Sequence, residues 1–214
     1  MISVAKSARI ALRALRLRRL YLSEFLRDQQ LGIATVGPRF TSTADPADRN
    51  ARYEPLGYAG LRKISKRLPL GPADVFYDLG CGMGRMTCYF ALQPMKRCVG
   101  IELDPELSER ARMNGVALFD RKTTIDILTG DASEAHYSDA TIVAMYNPFG
   151  EAVVRKVLAE LCESLRTHPR SLRILYANPV HSKVFESFPQ FREVDHFLIP
   201  YYLGRMQVIV WTNC

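Results

Sequence analysis

Val75-Phe-Tyr-Asp78-Leu-Gly80-Cys-Gly82-Met-Gly84-Arg85 is the stretch from which the rest of the chain is read. A short β-rich run, Val75 to Leu79, enters three alternating glycines, and a helical period follows through about Leu92. Glycines at such a strand-to-helix turn permit a tight bend and let a ligand approach the backbone N–H groups at the helix start. A glycine-rich loop alone is a weak signal, but this one has context. The next β-rich run, Arg97 to Leu103, carries Glu102, which lies 22 residues after Gly80. That is near the spacing of an acid that accepts hydrogen bonds from a ribose diol. The third glycine of the dinucleotide fingerprint G-x-G-x-x-G is replaced by Arg85, and the glycines read G-x-G-x-G instead, which disfavours a nicotinamide cofactor. No phosphate-binding lysine follows, so a P-loop is excluded.

Outward from this loop the pattern alternates. Pro105 suits the first turn of a helix running to about Phe119. Thr124–Thr129 and Ala140–Tyr146 read as the third and fourth strands, and residues 150–166 as a helix carrying Val153, Val157, Leu158, Leu161 and Leu165. Leu172–Ala177 is a fifth strand, with a short helix after His181. Two strand-like runs, about 191–199 and 205–212, close the chain. Strands alternating with helices imply an α/β fold, a mostly parallel sheet covered on both faces, and the final pair adds an antiparallel hairpin. Ligands in such sheets bind beyond the carboxyl ends of the strands, where strand order reverses. Upstream, Gly60 to Leu68 reads as a short helix with Leu61, Ile64 and Leu68 facing inward.

The chain has 214 residues, 48% apolar and 24% charged, the composition of a globular domain rather than a disordered or collagen-like chain. No apolar run approaches the roughly 18 residues needed to span a bilayer. Five cysteines without framework spacing point to reduced thiols in an intracellular, cytoplasmic protein. No Cys/His cluster suggests zinc, and no metal is expected. The net charge of +7 is uneven: residues 1–35 hold seven Lys/Arg against Glu24 and Asp28, and the remainder is close to neutral. A basic groove for nucleic acid would be spread across the fold, so no specific nucleic-acid partner is expected.

Residues 4–28 carry no Gly or Pro and read as a helix, within a basic amphipathic extension over 1–31. Arg9, Arg13 and Arg16 share a face beside a stripe of Leu12, Leu15, Leu22 and Leu26. Three readings stay open: docking on the body or on a second copy, peripheral contact with an anionic membrane, or, in a eukaryotic source, mitochondrial targeting. Residues 32–60, punctuated by Gly and Pro, read as a connector or lid loop, leaving 61–214 as the main domain.

Val75-Phe-Tyr-Asp-Leu-Gly-Cys-Gly-Met-Gly resembles the first motif of class I S-adenosylmethionine-dependent methyltransferases. Gly100-Ile-Glu102-Leu-Asp104 resembles their second, and Thr129-Gly-Asp131-Ala132 their adenine-binding motif, all in order across roughly residues 60–212. The resemblance implies a Rossmann-like, doubly wound seven-stranded sheet with S-adenosyl-L-methionine as cofactor and S-adenosyl-L-homocysteine as product. It also implies that Asp78, Gly80, Gly82 and Gly84 border the methionine moiety, that Glu102 holds the ribose hydroxyls, and that Asp131, with Ala132, meets the adenine. A helix N-cap or turn aspartate is the other reading of Asp131.

The fourth strand ends Asn147-Pro148-Phe149-Gly150, which resembles the Asn/Asp-Pro-Pro-aromatic motif of amine-directed methyltransferases, without its second proline. By that resemblance Asn147 and Phe149 position an acceptor nitrogen; a plain strand-end turn is the other reading. His181, after the turn that ends strand five, is a candidate general base. Arg52-Tyr53-Glu54-Pro55 resembles the aromatic-acid-proline stretch of seven-strand protein-lysine methyltransferases of the mitochondrial, archaeal and small bacterial kind. Tyr53 either caps the methyl-transfer site or packs. The expected activity is methyl transfer to a nucleophile, nitrogen before oxygen, with a protein lysine or a small molecule or sugar as acceptor. A catalytically silent cofactor-binding protein is the alternative.

Overall fold

The computed structural model describes residues 4–36, 53–146 and 148–213. In chain order these form α1 (Val4–Leu31), α2 (Tyr58–Arg67), β1 (Val75–Leu79), α3 (Arg85–Phe90), β2 (Arg97–Glu102), α4 (Pro105–Ala117), β3 (Thr124–Thr129), β4 (Ile142–Tyr146), α5 (Glu151–Thr167), β5 (Arg173–Ala177), β6 (Phe191–Tyr201) and β7 (Gly204–Asn213). Single 3-10 turns lie at Ala132–Glu134 and Ser182–Ser187. The strands make one seven-stranded sheet in the order β3-β2-β1-β4-β5-β7-β6. β1 to β5 run parallel, and β7 pairs antiparallel with both β5 and β6. Strand order therefore reverses between β1 and β4, and the crevice for a ligand opens there.

Alternation along the central strands sorts their side chains into two cores, because successive residues of a strand face opposite sides. Phe76, Ile142, Ala144 and Leu175 join one cluster with Leu61 and Ile64 of α2 and Phe90 of α3. Val75, Tyr77, Leu79, Val143 and Ile174 join the other with Val154, Val157, Leu158 and Leu161 of α5. Both faces of β1 are covered, so all five of its residues are buried, as a central parallel strand requires. Leu31, Ile33, Leu56 and Tyr58, from the extension and connector, belong to the first cluster too.

Several boundaries differ from the sequence pattern for local reasons. α4 opens on Pro105, with Asp104 accepting from the Glu106 and Leu107 N–H groups at 2.8 and 3.1 Å. It stops at Ala117 rather than Phe119, and the Phe119 N–H donates instead to the Leu31 carbonyl at 2.9 Å. The short helix after His181 is only a 3-10 turn.

The C-terminal half of α1 docks on the body, but through Leu20, Glu24, Asp28 and Leu31 rather than the leucine stripe, which stays exposed. The docking centres on Arg85, the first residue of α3, whose side chain is only 3% exposed. Its Nε donates to Thr35 Oγ1 and its Nη1 to Glu24 Oε2, each at 2.6 Å, while Nη2 lies 3.6 Å from Asp28 Oδ1. The guanidinium sits 4.8 Å over the Tyr58 ring. Asp28 in turn accepts from the Thr35 and Val36 N–H groups and from the Thr35 and Tyr58 hydroxyls. Removing one partner of a buried pair strands the other charge. Asp28→Ala is expected to cost about 3–5 kcal/mol in urea unfolding. A loss below about 1 kcal/mol, the range of an exposed pair, would refute this account of the docking.

Candidate active site

The crevice predicted by the strand order is a cleft of about 160 Å³ above the carboxyl ends of β1, β2 and β4. Its floor is the glycine loop. Gly80 and Gly82 adopt φ of +71° and +55°, a region where side chains are strained. A Cβ on Gly80 would lie 2.5 Å from Pro148 Cβ, and one on Gly82 2.3 Å from Tyr53 Cε2. These two positions need glycine both for conformation and for room. Gly84, also at positive φ, leads into α3 and packs against Ala111 of α4.

Glu102, at the end of β2, borders the cleft. Its Oε2 accepts from the Gly82 N–H at 2.8 Å and its Oε1 from the Asp104 N–H at 3.0 Å. The carboxylate is thus fixed to the loop, and each oxygen keeps a second lone pair for a ligand. Burial pushes its pKa above the ordinary carboxylate value, against the pull of those two N–H groups. Asp78 also lines the cleft but is fully buried, its Oδ2 accepting from the Thr87 N–H and hydroxyl at 3.0 and 2.7 Å. Burial pushes its pKa up to about 7 despite those bonds. Asp131 caps the 3-10 turn, accepting from the Ser133 N–H at 2.7 Å, and borders the cleft beside buried Ala132. Ile101, Leu103 and Leu107 supply an apolar wall that the motif reading did not single out.

On the acceptor side Pro148 and Phe149 line the cleft, and Asn147 lies outside the described residues. His181 is not among the residues lining the cleft. It follows β5, one strand beyond the β1/β4 reversal, and its backbone N–H is engaged with the Tyr176 hydroxyl. The Tyr53 ring covers Gly82 and lines the cleft, while its hydroxyl donates to the Thr35 carbonyl at 2.9 Å.

Three residues of the connector, Tyr53, Glu54 and Pro55, are shared with a second, smaller cavity of about 90 Å³. Tyr21 of α1 and Tyr201 and Tyr202 of the terminal hairpin line it too. Tyr202 sits in the two-residue turn at φ 42°, a conformation rare for a bulky side chain and often kept where function needs it. Glu54 accepts from the Tyr201 hydroxyl at 2.8 Å, with Tyr202 close beside it. Tyr146, at the end of β4 in the main cleft, adjoins Tyr201. Burial, chiefly, raises the pKa of both Tyr146 and Tyr202 well above the ordinary phenol range, so they remain protonated donors. Glu54 and these tyrosines were not singled out as site residues in the sequence; Glu54 alone had a local signal, inside Tyr53-Glu54-Pro55.

Residues 76–168 match a family model described as a methyltransferase domain. A probable ribosomal RNA small subunit methyltransferase A from Methanosarcina barkeri is 29% identical over 115 residues, 54% of this chain and 36% of that protein. The chain therefore spans little more than a third of that relative. A protein-lysine N-methyltransferase from Saccharolobus islandicus is 28% identical over 134 residues, 59% of this chain and 80% of that one. An RNA methyltransferase from Salinibacter ruber, solved with S-adenosyl-L-homocysteine, superposes with a TM-score of 0.55 at 25% identity, covering 75% of this chain and 94% of that one.

Two measurements test the cleft. Glu102→Ala is expected to weaken S-adenosylhomocysteine binding by about 1–3 kcal/mol in calorimetry, through lost charge-assisted hydrogen bonds; unchanged affinity would remove Glu102 from the ribose. The second concerns Asp78, whose folded pKa lies above its unfolded value near 4. Its contribution to stability is full below about pH 4 and is lost as pH rises through about 7. Asp78→Asn should therefore flatten the fall in melting temperature between these limits. A wild-type and variant difference constant with pH would contradict the buried carboxyl.

Proposed function

We propose, on the premise that this chain carries a class I S-adenosylmethionine-dependent methyltransferase domain, that it methylates a cationic primary amine of the kind a lysine side chain presents. The residues fit the cofactor. The Gly80 and Gly82 cradle has no room for a Cβ, Glu102 is oriented beside it, and the Leu103 and Leu107 wall offers apolar contact. When bound, S-adenosylmethionine supplies an electrophilic methyl group on its sulfonium. The loop backbone and Glu102 hold the cofactor, and Asp131 with Ala132 borders its far end. Phe149 and Tyr53 exclude water from the point where the acceptor meets it.

The observation that carries the amine reading is the second cavity, where Tyr21, Tyr53, Tyr201 and Tyr202 surround a carboxylate, Glu54, shared with the cofactor cleft. Aromatic faces attract an ammonium, and a carboxylate among them selects for one. An ammonium must lose a proton before its nitrogen has a lone pair to offer. Desolvation among the tyrosines lowers its pKa, and Tyr146 in the cleft adjoins Tyr201, whose hydroxyl donates to Glu54, the carboxylate that takes the proton. The similarity to a protein-lysine N-methyltransferase supports the same reading. The RNA methyltransferases among the similar proteins favour a nucleobase instead, since tyrosine rings also offer faces on which a base can stack.

The test is transfer of tritiated methyl into an extract of source cells lacking the protein. Base-resistant label in protein, recovered as methyl-lysine, is expected; label confined to RNA, lipid or small molecules would overturn the lysine acceptor. Glu54→Gln keeps an acceptor for the Tyr201 hydroxyl but not the charge. It is expected to lower kcat about a hundredfold while S-adenosylhomocysteine still binds. Wild-type turnover in that variant would remove Glu54 from the proton path.

A further inference from the structure

We propose that the outer face of α1 seats the protein on an anionic lipid surface. α1 is two-sided. One side meets the body through Leu20, Glu24, Asp28 and Leu31. On the opposite side Leu15, Leu22 and Leu26 recur at i, i+7 and i+11, the spacing of a single stripe, with Leu12 beside them. These four are 47–56% exposed, and no described residue covers them. Phe25, 47% exposed, extends the same surface.

The charge around this stripe has one sign. Arg18 and Arg19 bracket it and Arg16 lies beside Leu12, while Arg9 and Arg27 stand further round and Arg13 shares the meridian of Leu20 and Glu24. All six are exposed, and none makes an ion pair with a described residue. The only acids of α1 are Glu24 and Asp28, and both are turned inward to Arg85. The solvent side of the helix is therefore leucine and arginine without a carboxylate.

That combination selects the occupant. A second copy of the helix would bring arginines against arginines, with no acid on either to answer them. An RNA strand would meet the arginines but leave Leu15, Leu22, Leu26 and Phe25 in water. An anionic bilayer takes both: the apolar stripe enters the acyl boundary, and the arginines reach the phosphates on their long stems. Leu20, Tyr21 and Glu24 of the same helix line the second cavity, so seating on lipid would hold one wall of that cavity at the membrane. The inference rests on α1 alone and stands whether or not the acceptor is an amine.

The experiment is co-sedimentation of the full chain with vesicles of phosphatidylcholine alone, or with about a third phosphatidylglycerol. The expected result is pelleting with the anionic vesicles, little with the neutral ones, and release at high salt. Arg18→Ala/Arg19→Ala should weaken partitioning about twenty-five-fold, near fivefold per arginine. Leu22→Glu/Leu26→Glu should abolish it. Both variants should bind S-adenosylhomocysteine as the wild type does, which separates lost seating from lost folding. The proposal is overturned if the wild type stays in the supernatant with anionic vesicles, or if the leucine variant pellets as well as the wild type. It is equally overturned if sedimentation velocity shows a dimer that the leucine substitutions dissolve.

Discussion

A buried cation orders much of this molecule. Arg85 enters the interior at the first residue of α3, directly after the glycine loop, and a charge there is tolerated only with partners. Those partners come from far away in sequence: Glu24 and Asp28 from α1, Thr35 from the connector, and the Tyr58 ring from the start of α2. The N-terminal helix is thereby fastened to the element that shapes the cofactor cleft. The link continues, since the Thr35 carbonyl holds the Tyr53 hydroxyl and the Tyr53 ring lies over Gly82. One guanidinium thus connects the extension, the connector and the floor of the cleft. Its Nη2 alone has no hydrogen bond among the described residues, held only by the charge of Asp28 at 3.6 Å.

The two halves of the site are built in different ways. The cofactor half is mostly backbone and near-neighbour geometry: a loop between β1 and α3, an acid at the end of the adjacent strand, and a turn after β3. Parallel pairing of β1 with β2 sets Asp78 opposite Gly100 and Leu79 opposite Ile101. The Ile101 carbonyl then accepts from the Gly80 and Cys81 N–H groups at 2.9 and 3.0 Å. The tyrosine-lined cavity beside it is assembled instead from side chains of α1, the connector and the β6–β7 hairpin, which tertiary folding brings together. This division suits a scaffold that keeps its cofactor while its acceptor side varies, since sites are grafted on folds and loops vary most readily.

The inward turn of Glu24 and Asp28 has a second effect. It removes both acids from the water-facing side of α1, so the same contacts that dock the helix leave its outer side uniformly basic. Docking and surface character are linked through two carboxylates.

The sequence by itself determined the periodic and local features. Alternating strands and helices gave the sheet class, and Pro105 behind Asp104 marked the start of α4. The G-x-G-x-G loop with Glu102 placed the cofactor cleft, because those signals lie within one strand–turn–helix unit and its neighbour. What only the tertiary structure decided is everything that depends on distant segments meeting. Arg85 read as a departure from a glycine fingerprint, and its burial appears only when α1 folds across α3. The leucines of α1 had the spacing to dock, yet two acids and Leu20 took that side, because an ion pair with a buried arginine outweighs a leucine's preference for either face. His181 follows the turn after β5, and only the sheet order shows that this strand lies one beyond the reversal, away from the residues lining the cleft. Glu54 and the hairpin tyrosines left almost no local trace: a cavity lined by four remote segments has no period for a sequence to display.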